Sequence, residues 1–393
     1  MAVIKRVRLS EIAELVTKGT TPTTLGYEFQ DTGVNFLKIE CFSEKGDYIQ
    51  NKATHISEEC HEKLKRSQLK EGDILFSIAG VIGRVAIVTR NMLPANINQA
   101  LAIIRIKKDD IYLPYVKLIL TSPLIKKQFE RKKQGVAQLN ISLKDINDLE
   151  IPLPEIGKQI EYANSFKKVE KLIYTRQYQL QKLDELVKAR FVEMFGDDKY
   201  SKMPLINLIT EGAGLSYGIV QPGDSGTGDM GVLRPVDMVN GEISTHSIKY
   251  IDRSIGASFK KTELVGDELL ITVRGTTGVT ALTDSRFKNM NVTRGIAVIR
   301  YDRRKINPIY LNAFLNTDES QQYIQEHTRG ATLQQINLSD LRVHMIPVPP
   351  IELQEKLADF IQQVDKSKLQ VPSGNALCIR YPIFIEMMFL RGV

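Results

Sequence analysis

Residues 151–160 read IPLPEIGKQI and residues 346–355 read IPVPPIELQE. The phrases lie 195 residues apart (346 − 151 = 195), and each follows a strand-like stretch and opens a helical pattern. Proline lacks the backbone donor of a helix interior and clashes with the preceding turn, so it belongs at a helix start. Pro152 and Pro154, like Pro347 and Pro349, therefore mark where a globular segment stops and a helix begins.

The same shift aligns much more of the chain. NINQALAIIRI (96–106) falls on NVTRGIAVIRY (291–301), and GVAQLNISLKDI (135–146) falls on GATLQQINLSDL (330–341). Gly80 and Gly83 in SIAGVIGR land on Gly275 and Gly278 in TVRGTTGV, and Gln159 lands on Gln354. EGDILF and VGDELL match with a one-residue offset. So long a period is no solenoid unit. It means two homologous domains in tandem, each followed by its own connector. The opening stretches of the copies share only scattered positions, which implies like folds with different surfaces for related but distinct ligands.

Within each copy, short Ile- and Val-rich runs bounded by Gly and Asn read as strands. Segments 112–135 and 309–330 read as helices that end at Gly135 and Gly330. The fold class is α+β: two homologous globular domains in tandem, joined and followed by long helices. The boundaries are 1–154 for the first domain, 155–198 for the central helix and 199–349 for the second domain. A distal helix at 350–370 and a divergent tail at 371–393 complete the chain.

The central helix has no proline from Glu155 to Phe195, and Gly157 is its only glycine. Phe166, Val169, Ile173, Leu180, Leu183, Val187 and Met194 recur at three- and four-residue steps, interrupted by Arg176 and Arg190. About 40 residues at 1.5 Å rise give a rod of roughly 60 Å, whose stripe needs a second helix to bury it. Leu353, Leu357, Phe360, Ile361 and Val364 supply that stripe, so the two helices are expected to pack as an antiparallel coiled coil.

Composition narrows the function. With 42% hydrophobic and 25% charged residues among 393, the chain is an ordinary globular protein with ample core. No run approaches the ~18 apolar residues of a membrane span, and the N-terminus lacks a signal-peptide pattern, so a cytoplasmic protein is expected. A net charge of +7 favours a polyanionic partner. Cys41, Cys60 and Cys378 show no metal-ligand spacing and read as small buried or half-buried side chains.

Catalytic patterns are missing from the sequence. It contains no GxxxxGK[ST] loop, no HExxH pair, no Asn/Asp-Pro-Pro-Tyr methyltransferase signature and no clear nuclease cluster. GAGLSYG (212–218) follows no clear strand and reads as a loop. His55, His61, His246, His327 and His344 form no metal pair; His55 and His61 flank Cys60 without an orienting third group. No metal or cofactor is expected on this chain.

Binding is better supported. The glycine-framed loops place Arg84, Arg274, Thr276 and Thr277 beside close backbone, and NINQ and NVTR add Asn98, Gln99, Thr293 and Arg294. Arg reads guanine edges and Asn or Gln reads adenine edges in the major groove, although Asn, Gly and Thr are also ordinary loop formers. KKQFERKK (126–133) is either a phosphate-contacting edge or a solvated helix face, and the solvated face is preferred.

The two proline phrases, the helix ending LQKLDELVKARFVEMFGD, the GD…G..G segments, and the phrases VTKGTTP and LSYGIVQPG together resemble the specificity subunit of type I restriction–modification systems. The resemblance covers about residues 5–370. It implies a non-catalytic subunit whose two target recognition domains each read half of a split, asymmetric site in double-stranded DNA. It adds Thr20, Thr21, Tyr217 and Gln221 to the candidate DNA contacts. It also implies that the helices space the half-sites and dock two modification subunits through Gln159, Phe166, Val169, Ile173, Leu180, Leu183, Val187, Gln354, Leu357, Ile361 and Val364. Those partners would use S-adenosylmethionine to methylate adenine, and through them restriction subunits would use ATP and Mg²⁺. The tail departs from the pattern: Pro372, Gly374 and Pro382 break any long helix, and only FIEM (384–387) echoes FVEM (191–194). A recombined or frameshifted end, and with it a silent truncated copy, is one alternative. A free-standing DNA-modifying enzyme and a stand-alone DNA-binding regulator are the others.

Overall fold

The computed structural model describes residues 4–107, 110–131, 141–196, 199–221, 223, 228–239, 241–331 and 333–370. The divergent tail at 371–393 lies outside them, as does 135–140 of the repeated phrase GVAQLNISLKDI. One compact unit runs to Arg176 and a second begins at Gln177.

The first unit is built on a four-stranded antiparallel sheet in the order Ala13–Lys18, Leu101–Ile106, Ile74–Ser77, Val85–Ile87. Its apolar runs are continuous because both faces are covered. Ile74, Phe76, Ala102 and Ile104 pack on Tyr115, Val116 and Ile119 of the helix Leu113–Leu120. Leu75, Leu101 and Ile103 face the other way onto Leu37, Cys41 and Ile97. There a three-stranded sheet runs Thr54–Ile56, Val34–Leu37, Ala95–Ile97, with the last pair parallel.

The second unit repeats this plan. Its main sheet runs Ser216–Tyr217, Ile296–Ile299, Leu269–Thr272, Thr280–Leu282, and its smaller one Lys249–Ile251, Met230–Leu233, Asn291–Val292. The central pairing Ile74↔Ile104 becomes Leu269↔Ile299, each residue displaced by 195 (269 − 74 = 195; 299 − 104 = 195). The same register places Asp73 against Glu268: Asp73 accepts the Lys70 N–H at 2.7 Å and Glu268 the Val265 N–H at 2.7 Å. The one-residue offset read for GDILF and GDELL is therefore not the structural one.

Each proline phrase closes its unit. The strand Glu150–Pro152 pairs with Arg6–Arg8, and Met345–Pro347 pairs with Lys202–Pro204, so the last strand of each unit returns to its first. Buried tyrosines fasten the turn: Tyr115 Oη donates to the Pro152 carbonyl at 2.8 Å, and Tyr310 Oη to that of Pro347 at 2.9 Å.

The long helix spans Ile156–Phe195 and does not stand apart as a separate body, since its two halves belong to different units. Its second half carries Phe191 and Phe195 into the second core, where both rings meet Tyr310 at 5.6 and 5.1 Å. The helix Ile351–Gln370 runs antiparallel to that half: Arg190 lies over the Phe360 ring, and Lys368 reaches Asp184 at 2.8 Å.

The segments expected as single helices are each broken in two. Leu113–Leu120 precedes Pro123–Arg131, and Pro308–Leu315 precedes Asp318–Glu326. Pro123 cannot continue the first, and Thr317 restarts the second by capping the Ser320 N–H. Gly330 is not a helix stop. With φ +100°, it opens the tip of a hairpin between Thr328–Arg329 and Gln335–Ile336.

Candidate nucleic-acid interface

The phrases KGTTP and YGIVQP carry the same contact in the two units. A Cβ added at Gly19 would lie 1.9 Å from the Ile97 carbonyl oxygen, and one at Gly218 would lie 1.8 Å from that of Val292. Only glycine permits that approach of one backbone to the other. The consequence is a corner where two candidate segments meet. In the first unit Thr21 Oγ1 bonds Gln99 Oε1, with Thr20 and Gln99 exposed. Asn98 turns its Oδ1 back to the Ala100 N–H at 3.2 Å and acts there as a turn former.

In the second unit Arg294 donates its N–H to the Ile219 carbonyl at 2.9 Å. That bond sets exposed Arg294 beside the segment from Tyr217 to Gln221, where Tyr217 is 51% exposed. Val273 N–H donates to the Gly295 carbonyl at 2.8 Å, which brings Arg274 and exposed Thr276 to the same corner. Arg274, Thr276, Arg294, Tyr217 and Gln221 thus gather at one end of the sheet.

Two candidates are drawn inward instead. The Arg84 guanidinium donates to the carbonyls of Ile39 at 3.2 Å and Phe42 at 2.8 Å, so it braces a loop of its own unit. Thr277 is buried, and its hydroxyl bonds that of Thr328 at 3.0 Å. Thr277 presents no exposed side chain, whereas Arg84 stays half-exposed.

The helix residues divide similarly. On the long helix Val169, Ile173, Leu180, Leu183 and Val187 are half-buried, as is Ile361 on the helix Ile351–Gln370, while Val364 is buried. Phe166 lies in the first core and Leu357 in the second, so they anchor the helices and offer no docking face. Gln159 and Gln354 are buried hydrogen-bonding struts. Gln159 accepts the Tyr112 N–H at 2.9 Å and donates to the Pro154 carbonyl at 2.8 Å; Gln354 does the same for Asn307 and Pro349, both at 2.8 Å. Each ties its helix to its own unit. The large apolar side chains of the long helix that face outward are Ile156, Ile160, Leu172, Tyr174, Tyr178, Leu186 and Val192, which lie off the periodic stripe.

The hairpin tip Gly330–Gln334 stands out in the sequence only as part of the repeat. Exposed side chains at this hairpin include Arg329 and Gln335 of its strands and Leu333 and Gln334 beside the tip, and Gly275 N–H donates to the Gln334 carbonyl at 2.9 Å. A signal for it is present: two amides and a leucine between Gly330 and Ile336, matched by QLN at 138–140 in the first copy.

Among the described residues no group of three or more His, Cys, Asp or Glu side chains is placed to hold a metal ion. His61 bonds Asn96, and Cys60 is buried. Ser320 and His344 lie 2.8 Å apart, yet both are buried. Burial against Phe314 and Tyr323 pulls the His344 imidazole down to about 4. No described helix is long and apolar enough to cross a membrane.

Residues 3–185 and 225–373 match the family model of the Type I restriction modification DNA specificity domain. The chain is 25% identical over 384 residues to the putative type I restriction enzyme MjaX specificity subunit of Methanocaldococcus jannaschii, covering 91% of this chain and 85% of that one. It is 26% identical over 167 residues to the type I restriction enzyme EcoBI specificity subunit of Escherichia coli, covering 42% of this chain and only 35% of the relative. A chain solved in work on complex assembly and conformational transition of the type I R-M system superposes with TM-score 0.59 at 16% identity, covering 98% of this chain and 97% of that one. The S subunit of a type I restriction–modification system from M. genitalium gives 0.51 at 12%, covering 99% and 95%. These likenesses are of fold.

Proposed function

Because the chain belongs to the type I restriction modification DNA specificity family, matched across both units, we propose that it is the non-catalytic specificity subunit of a type I restriction–modification complex. Each unit reads one half of a bipartite, asymmetric site in double-stranded DNA. The long helix sets the number of unread base pairs between the halves. The helices dock two modification subunits, which bind S-adenosylmethionine and methylate adenine, and through them restriction subunits that use ATP and Mg²⁺. The complex works in the cytoplasm with no membrane partner.

The observation that carries this reading is the repeat of a whole unit, down to the Tyr115/Tyr310 and Gln159/Gln354 hydrogen bonds, around corners whose exposed side chains differ. Two like scaffolds with unlike edges suit one asymmetric ligand read in two places. A 40-residue helix of ~1.5 Å rise per residue is long on the scale of a ~34 Å duplex turn.

Methylome sequencing of cells with and without the gene tests it. A bipartite methylated motif should vanish with the gene. An unchanged methylome sinks the reading, as does methyl transfer or cleavage by the purified chain alone with S-adenosylmethionine or Mg²⁺ and DNA.

A further inference from the structure

Three short strand segments of the second unit lie side by side: Thr328–Arg329, Gln335–Ile336, and the bridge at Arg274. Arg329 pairs with Gln335, and Gln335 pairs with Arg274, both antiparallel. Residues directly opposite across antiparallel strands point to the same face. Arg329, Gln335 and Arg274 therefore form one row.

The neighbouring row faces the other way. Ile336 and Val273 are buried and share a backbone hydrogen bond of 3.0 Å, and Thr328 bonds Thr277. With the inner row fixed in the core, the Arg–Gln–Arg row must face outward; Gln335 and Arg329 are exposed. The Gln335 amide and the Arg274 guanidinium have no hydrogen-bond or ion-pair partner among the described residues. Arg329 has only a 3.9 Å approach to Asp340, with its side chain 72% exposed.

Comparison of the copies points to this row. The inner positions keep their character: Ile141 N–H donates to the Ile78 carbonyl at 3.1 Å, as Ile336 does to Val273. The outer positions do not. Against Arg329, Gln335 and Arg274 the first copy has Gln134, Asn140 and Ala79 in sequence. Two readers on one scaffold should differ where they read and agree where they fold.

We infer that the row Arg329–Gln335–Arg274 is the base-reading edge of the second unit, inserted into the major groove as a β-ribbon. This rests on the DNA-specificity reading above. Cross-strand neighbours stand ~5 Å apart, so three of them span about 10 Å, which is three to four base pairs at ~3.4 Å. A guanidinium fork matches guanine O6 and N7, and a carboxamide matches adenine N6 and N7. Gln335 reads an A·T pair, and Arg329 and Arg274 read G·C pairs on either side of it.

The test uses the full chain in its complete complex, with the methylome as readout. Gln335→Ala should relax one A·T position in one half-site, with discrimination there falling about 10- to 100-fold. The other half-site should keep its sequence, which controls for folding. Arg274→Lys keeps the charge but loses the fork, so it should loosen one G·C position without abolishing methylation. An unchanged motif in both variants overturns the inference. So does a uniform fall in methylation with every position intact, which would assign the row to phosphates. Absence of any bipartite motif with the wild-type chain would instead sink the specificity reading itself.

Discussion

The side-chain carbonyl of Gln159 accepts the backbone N–H of Tyr112 at 2.9 Å while its amide donates to the Pro154 carbonyl at 2.8 Å. One glutamine thus satisfies two part-buried backbone groups and joins the helix start to the unit it leaves. Gln159→Ala strands both groups, at about 1–3 kcal/mol for each. Because both groups are only part-buried, the expected loss is at the low end, roughly 2 kcal/mol, confined to the first unit. Hydrogen exchange of the full chain in urea resolves the units; protection lost equally from both would contradict a local strut. Gln354→Ala should do the same to the second unit.

The acid at the start of each central strand predicts a contrast. Asp73 takes two N–H groups of Arg105, each at 2.7 Å, and is 1% exposed. Its counterpart Glu268 is surrounded by backbone donors and Thr283, and Arg300 stays 3.6 Å away. Arg300 instead donates to the carbonyls of Lys261 and Glu263. A double-mutant cycle on 73/105 should give a coupling of about 1–3 kcal/mol, and one on 268/300 less than about 0.5 kcal/mol. Equal couplings would refute the assignment.

Acid should weaken the second unit through His344. Burial holds its imidazole at about 4, with His327 and Lys202 adding repulsion, against an unfolded value near 6.5. The folded value is depressed, so the unfolded state binds the extra proton between those limits. The stability is full above about pH 6.5 and is lost as pH falls toward 4. The loss by pH 4 is about 3 kcal/mol. His344→Gln should remove that part of the slope, measured as the difference between wild type and variant. A wild-type slope retained in the variant would place the effect elsewhere.

Repetition and periodicity are legible in the sequence. The prolines, the 195-residue register and the helical stripe depend on residue type and spacing alone. Side-chain direction depends on tertiary neighbours, which spacing does not encode. Arg84 and Arg274 both sit in glycine-framed loops, yet the first is consumed by carbonyls at Ile39 and Phe42 while the second has no partner among the described residues. Gln159 is a repeated polar residue, and repetition by itself does not distinguish a surface contact from a buried strut. Phe191 and Phe195 enter a core only because Tyr310 and Tyr200 wait beside them.

The corner glycines give a recognition phenotype. Gly218→Ala forces the Tyr217–Gln221 segment away from the Val292 carbonyl, which an added Cβ would approach to 1.8 Å. The strain should cost about 1–3 kcal/mol. Methylation should lose sequence preference in the second unit's half-site while the first half-site persists. Gly19→Ala should give the mirror result. Loss of both half-sites from either variant would show that the corners are not independent.

The last prediction concerns the long helix. Four residues of helical sequence inserted after Arg176 lengthen it by ~6 Å and rotate its downstream half by only about 40° from a full turn. The site spares the local anchors: the Gln159 strut lies before it, and the Asp184–Lys368 and Arg190–Phe360 contacts lie after it. Both units should therefore fold and read the same bases. If the helix is the ruler, the methylated motif keeps both half-sites and gains one or two unread base pairs at ~3.4 Å each. An altered half-site with the old gap would mean that the insertion disturbed a reader. An unchanged motif would remove the helix as the measure of spacing, leaving each unit free to find its half-site through the docked partners.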